Sequence, residues 1–363
     1  MAVTVYFATN RNPIGKPPTD FGPKLSSHEG LDLRFGRADV DLVFEPGGGA
    51  DEDASTIEIK VAKEQLTSRA RAPTSDNFVF GSNEVFDHLR RKMVKHTRDS
   101  IIYIHGFANS FKSSIVRAAE HKQQLGDGAN LAVFSWQSDG EVFLYTPYER
   151  DRTDARASGQ AMAKAIRTLA RYLHAITSDD ERREIRRSLL RGEDVPIGPC
   201  EQKIHLLAHS MGNYAFRHGV VALRDDFRGK EVKLFDKVFL MAADADDDVL
   251  SEPDKMAFLP QISEKISVYH TPRDRALWVS ETTKGNRERL GSDGPFNNRA
   301  LPDKIEAIDV SAVLGHDSDQ TNHQYYRLNP AVLADMRAVF ADGPTPWRDY
   351  DAHGRRFRLV DRG

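Results

Sequence analysis

Ser210 closes an apolar run in HLLAHSMGNYA (residues 205–215), and Gly212 follows two positions later. Small residues two before and two after a serine let a strand turn sharply into a helix and present the hydroxyl as a nucleophile, because the two backbones nearly touch there. Those positions hold Ala208 and Gly212, giving A-H-S-M-G rather than G-x-S-x-G. Serine is also a favoured helix N-cap, so the segment alone fits a capped helix equally well. A nucleophilic serine needs a base, and the base needs an acid to orient it. Asp274 lies in TPRDRALWVS, after the run KISVYH, and His316 and His323 lie in SAVLGHDSDQTNHQYY, after KIEAIDV. The order Ser, Asp, His is the one expected when all three sit on loops of a doubly wound sheet. His323, just ahead of the last capped helix, is the preferred base, and His316 is the alternative. His209 is read as a packing residue, since neighbouring side chains on a strand face opposite ways.

An acyl-transfer site also needs N–H donors for the developing oxyanion. Met211, directly after the serine, supplies one. The second is expected from IIYIHGFANSF, where an apolar strand runs into His105 and Gly106; Phe107 or Ala108 is the donor, and Asn109 and Ser110 begin the following helix.

The elements that must hold these groups follow from the hydropathy pattern. Short apolar runs recur at 100–106, 130–136, 203–209, 237–243, 265–270 and 304–310, each followed by loop residues, as buried parallel strands are. Met162, Ile166, Leu169, Leu173 and Ile176 form one stripe of a long helix. Asn329 and Pro330 cap a last helix whose face holds Val332, Leu333, Met336, Val339 and Phe340. The expected fold is α/β: a mostly parallel, doubly wound sheet flanked by helices, with extra N-terminal strands. Residues 1–97 read as a β-rich segment packed onto the sheet, 98–345 as the α/β core and 346–363 as a polar, loosely held tail. The charged stretch 177–200 reads as a solvated helix, with a lid or partner surface as the alternative. Gly47–Gly49, with no lysine after it, reads as a flexible turn rather than a phosphate cradle.

Composition narrows the function. The net charge of −3 gives no electrostatic reason to expect nucleic acid or an anionic membrane. Cys200 is the single cysteine, so an intrachain disulfide is excluded. The start, MAVTVYFATNRNP, lacks the pattern of a secretory signal, and no uncharged apolar stretch approaches membrane-spanning length. A cytoplasmic enzyme with a small-molecule substrate and no cofactor is expected.

Two rival readings use other residues. HDSDQTNH (His316 to His323) and DADDD (Asp244 to Asp248) concentrate metal-ligand types, which suits a metal-dependent hydrolase, although their spacing matches no metal motif. A hydrolase scaffold used only for binding is the other. Trp136 and Gln137 are read as core or pocket wall, and Tyr145, Tyr148 and Asp151 as loop and cap residues.

YIHGFANSF, FSWQSDG, LLAHSMGNYA, RDRAL and HQYYR together resemble the α/β-hydrolase superfamily, and more narrowly a bacterial, esterase- or lipase-like branch of α/β hydrolases of unknown function. VYFATNR and FGRADVDLV resemble that branch's N-terminal strands. The resemblance implies Ser210 as nucleophile, Asp274 as acid, His323 as base, and oxyanion donors at Met211 and Phe107. Ala208 departs from the first glycine of the elbow, and it bears on the fine geometry of the turn.

Overall fold

All six apolar runs form strands, and every pairing among them is parallel. They are β6 (Asp99–Ile104), β7 (Ala129–Ser135), β8 (Ile204–His209), β9 (Phe235–Met241), β10 (Ser263–His270) and β11 (Ile305–Asp309). In the computed structural model the described residues are 2–27, 32–46, 48–62, 81–96, 99–126, 129–138, 145–175, 202–227, 233–278, 288–315 and 320–360. The charged stretch 177–200, Cys200 and His316 lie outside them.

The register aligns Ile104 with Ala208, His209 with Met241, and His270 with Asp309. The carboxyl ends of the strands therefore share one rim, and the loops bearing His105, Ser210, Asp244, Asp274 and His323 leave from it. Ligands bind at this rim in open α/β sheets.

Parallel neighbours require crossovers, and helices supply them. Beyond α1 (Gly81–His96) come α2 (Phe111–Leu125), α3 (Tyr145–Ala175), α4 (Met211–Phe227) and α5 (Pro330–Phe340). The core has two layers, one on each face of the sheet. Trp136, Met162, Ile166 and Phe216 belong to one, and Tyr103, Phe111, Met241 and Met336 to the other. Met162, Ile166 and Leu169 of the α3 stripe are buried as expected. Asn329 caps α5 by accepting from the N–H groups of Ala331 and Val332, and Val332, Leu333, Met336 and Val339 are buried.

The chain's two ends are more integrated than their sequence suggests. β1 (Val3–Thr9) lies inside the sheet, parallel to β7 and antiparallel to β4 (Arg34–Asp41), which pairs with β5 (Thr56–Val61). The hairpin of β2 (Arg11–Ile14) and β3 (Asp20–Leu25) forms a separate two-stranded sheet. α1 buries Val85, Phe86, Leu89 and Met93, a helical spacing within the segment read as β-like.

The expected loose tail instead forms β12 (Arg348–Asp351) and β13 (Arg356–Leu359), and β13 adds parallel to β11. Among the described residues the main sheet has eleven strands, in the order β12-β13-β11-β10-β9-β8-β6-β7-β1-β4-β5. Buried charge adds to apolar packing by Leu359, Trp347 and Phe357 in anchoring this end. Arg348 donates from Nε to Asp335 Oδ1 at 2.7 Å, from Nη2 to Asp335 Oδ2 at 2.6 Å and from Nη1 to Glu306 Oε2 at 2.8 Å. The Arg348 and Asp335 side chains are 2% and 0% exposed. Removing one member of a buried pair strands the other, which typically costs about 3–5 kcal/mol. Arg348→Ala is therefore expected to lower the urea midpoint strongly; an unchanged midpoint would refute this anchoring.

Candidate active site

β8 ends at His209 and α4 begins at Met211, so Ser210 alone forms the turn. Its φ is +52°, a left-handed conformation that a side chain makes costly and that surrounding structure must impose. The constraint is main-chain hydrogen bonding. Ser210 N–H donates to Met241 O at 3.0 Å, and Ser210 O accepts from the N–H groups of Asn213 at 3.0 Å and Asp244 at 3.2 Å. The buried Asn213 amide also donates to the oxygens of Ala208, Ser210 and Met241, tying the ends of β8 and β9 together.

Gly212 is where the turn is tightest. A Cβ there would lie 2.5 Å from His105 O and 2.6 Å from Ile104 O. Gly106 faces the serine itself, since its Cβ would fall 2.9 Å from Ser210 Cβ. Ala208 sits inside the β6–β8 pairing opposite Ile104, fully buried. The elbow's second position thus demands glycine, and the first accommodates alanine.

Asp274 and His323 meet: His323 Nδ1 and Asp274 Oδ2 are 2.7 Å apart. Both residues are buried, Asp274 at 1% and His323 at 8% exposure. The other carboxylate oxygen, Oδ1, accepts the Leu277 N–H at 3.0 Å, which fixes the plane of the acid. The two loops are also bound to each other, by Arg275 N–H to Thr321 O at 2.9 Å and Asn322 Nδ2 to Arg273 O at 3.2 Å. Behind them Tyr325 Oη donates to Tyr269 O at 2.9 Å and accepts the Ala242 N–H at 3.0 Å, pinning the loop to β9 and β10.

His209, read as packing, is a strut. Its Nε2 lies 3.1 Å from His323 O, and its ring stacks on Tyr326 with centroids 4.1 Å apart. A carbonyl only accepts, so Nε2 carries the proton and supports the main chain of His323. Nothing in the local sequence signals this role, because the partner lies 114 residues away.

The loop after β6, where the second donor is expected, is equally constrained. Asn109 Nδ2 donates to Gly106 O at 3.2 Å and to Phe107 O at 2.8 Å, and Ala108 has φ +57°. Left-handed residues thus occur in four loops of this rim: Ala108, Ser210, Ala242 and Asn322. The Phe107 ring packs against Tyr148 at 5.6 Å, and Tyr148 Oη donates to Asp244 Oδ2. Tyr148 is therefore an aromatic neighbour of the donor loop. Asp151 is fully buried and accepts from Ser138 Oγ. Trp136 is fully buried, its Nε1 donating to His105 O at 2.7 Å. Gln137 Nε2 donates to Asp154 Oδ2 at 3.0 Å.

The acidic loop after β9 is occupied by cations. Asp246 accepts from Arg289 Nη1 at 2.9 Å, Lys255 Nζ at 3.1 Å and Arg217 Nη1 at 3.4 Å, and Asp248 pairs with Lys255. Burial pushes the Asp246 carboxyl up, but Lys255, Arg289 and Arg217 outweigh it and hold it below the usual range. Among the described residues no group of three His, Cys, Asp or Glu side chains could hold a metal ion.

Several histidines beneath the rim are held neutral. Burial pushes His105 down to about 3, with the Arg11 charge adding to it. His121 falls to about 3 by burial and then Arg327 and Arg117, and His209 falls well below its ordinary value by burial and then His323. An unfolded chain protonates the same groups below their ordinary value of 6.5. For His105 and His121 the contribution is complete above pH about 6.5 and is lost as pH falls toward about 3, by about 1.4 kcal/mol per pH unit for each; His209 acts in the same direction. Urea denaturation is expected to show a clearly lower midpoint at about pH 5 than near neutrality; equal midpoints would contradict it.

A mostly parallel sheet with a serine elbow, an acid–histidine pair and a glycine loop on one rim defines an α/β hydrolase. The chain belongs to the family described as alpha/beta hydrolase of unknown function (DUF900), whose model matches residues 82–177 and 194–339. No curated protein matches the chain. Among the described residues no helix is long and apolar enough to cross a membrane.

Proposed function

We propose that the protein is a serine hydrolase that cleaves carboxylic esters through an acyl-enzyme on Ser210. The observation that carries this reading is the 2.7 Å contact of His323 Nδ1 with Asp274 Oδ2, on the same strand-end rim as a serine held at φ +52°. Asp274 keeps the Nδ1–H tautomer, leaving Nε2 unprotonated to act as base. His323 Nε2 takes the Ser210 hydroxyl proton as Oγ attacks the ester carbonyl carbon, and the carbonyl π electrons move onto oxygen. The N–H groups of Met211 and Phe107 stabilise that oxyanion; Met211 N–H heads α4, where first-turn donors have no acceptor within the helix. Collapse breaks the bond to the leaving alkoxide, which takes the proton back from His323. Water, deprotonated by His323, then attacks the acyl carbon; collapse breaks the bond to Ser210 Oγ, which takes that proton back from His323, and the carboxylic acid leaves.

Two measurements test this reading: covalent labelling of the purified protein by a fluorophosphonate, and turnover of a short-chain aryl ester. Both are expected, and both are expected to persist in excess chelator. Absence of labelling and turnover would overturn it. Turnover abolished by the chelator would favour a metal-dependent reaction.

A further inference from the structure

The residues matched by the family model begin at 82, yet three consecutive buried polar residues far upstream reach the site's supporting loops. Thr9 Oγ1 donates to Ser135 O at 2.7 Å, at the end of β7, and accepts the Arg11 N–H at 3.1 Å. Asn10 Nδ2 donates to Ser158 Oγ on α3 at 3.0 Å. Arg11, 1% exposed, spreads its guanidinium over three acceptors. These are Ser135 Oγ from Nε at 3.0 Å, Ser138 O from Nη1 at 2.9 Å and Asn109 O from Nη2 at 2.6 Å.

Asn109 is thereby gripped from both sides, because its N–H donates to Ser138 Oγ at 3.2 Å while its C=O receives Arg11. Its side chain in turn holds the oxygens of Gly106 and Phe107. In a trans peptide the N–H points opposite to the C=O. Drawing those two oxygens toward Asn109 turns the N–H groups of Phe107 and Ala108 to the opposite side of the loop. A planar fork with five N–H donors can serve three acceptors at once, which an ammonium on a flexible stem cannot do in the same geometry.

We propose that Arg11 is a positioning residue that sets the orientation of the oxyanion-loop N–H groups through Asn109 and Ser138. This rests on the serine-hydrolase reading for its kinetic consequence but not for its structural one, so two readouts are needed. The variants are Arg11→Met and Arg11→Lys in the full chain. The kinetic readout is aryl-ester hydrolysis. kcat is expected to fall about 100-fold in Arg11→Met, the scale of losing one oxyanion donor, with KM within about threefold. Arg11→Lys, which keeps the charge, is expected to recover only part of the loss.

The structural readout is amide hydrogen exchange. Residues 107–110 are expected to exchange at least about tenfold faster in the variants, while residues 322–326 keep the parent rate. Parent-like kcat and parent-like exchange in Arg11→Lys would overturn the proposal, as would a loss confined to KM. If Arg11→Met fails to fold, Arg11→Lys decides both readouts. If the parent shows no esterase activity, the serine-hydrolase reading fails on its own, and exchange at 107–110 still decides the role of Arg11.

Discussion

Ser210→Ala is expected to keep the fold and lose both fluorophosphonate labelling and ester turnover. The bonds that impose the elbow run through the main chain of this residue, to Met241, Asn213 and Asp244, and alanine preserves all three. Alanine also carries the same Cβ against Gly106, so the contact there is unchanged. Only the hydroxyl is removed. Loss of a serine nucleophile from a triad lowers kcat by up to about 10⁶-fold, leaving the rate that binding and the oxyanion donors sustain. The checks are a melting curve, a labelling gel and progress curves with an aryl ester. An alanine variant that labels like the parent would show that the probe reacts elsewhere.

The second large effect is expected from Asp274→Asn, which keeps size and shape while changing one proton. Asp274 Oδ1 accepts the Leu277 N–H, so an asparagine placed there keeps its oxygen toward Leu277 and turns its NH₂ toward His323 Nδ1. A donor facing Nδ1 stabilises the tautomer protonated on Nε2. That tautomer has no lone pair to accept the serine proton. The equivalent change in a known triad lowers kcat by about 10⁴-fold, and a comparable loss is expected here with KM little changed. A decrease smaller than about tenfold would remove Asp274 from the reaction.

What the sequence revealed and what it hid divide along a physical line. The six parallel strands were legible because burial on both faces makes continuous apolar runs, and strand ends mark where the loops emerge. Asp274 and His323 were located by that logic, and the structure brings their side chains into contact. His209 packs as expected, stacked on Tyr326, but its bond to the His323 carbonyl was not legible because that group comes from a distant loop. Arg11 was equally opaque, since its acceptors lie 98, 124 and 127 residues along the chain. The last two strands were missed for a different reason. They read RDYD and RFRL, and hydropathy does not register an arginine that is buried because an aspartate is waiting for it. The acidic run after β9 offered ligand-type residues to the rival metal reading; in the structure Asp246 among them is paired with Arg217, Arg289 and Lys255.

The added strands at both ends of the chain bear on how molecules of this protein coexist at high concentration. An exposed strand edge is a template on which another chain can extend the sheet. Without its additions this sheet would end on β11 and β7, both built to be covered. It ends instead on β12, four residues long with Asp349 and Asp351, and on β5, which turns Glu58 and Lys60 outward. Short or charged rims of this kind repel pairing with a second copy. The terminal segments thus act as selvedges, finishing a wide sheet with short or charged edges that disfavour intermolecular strand addition.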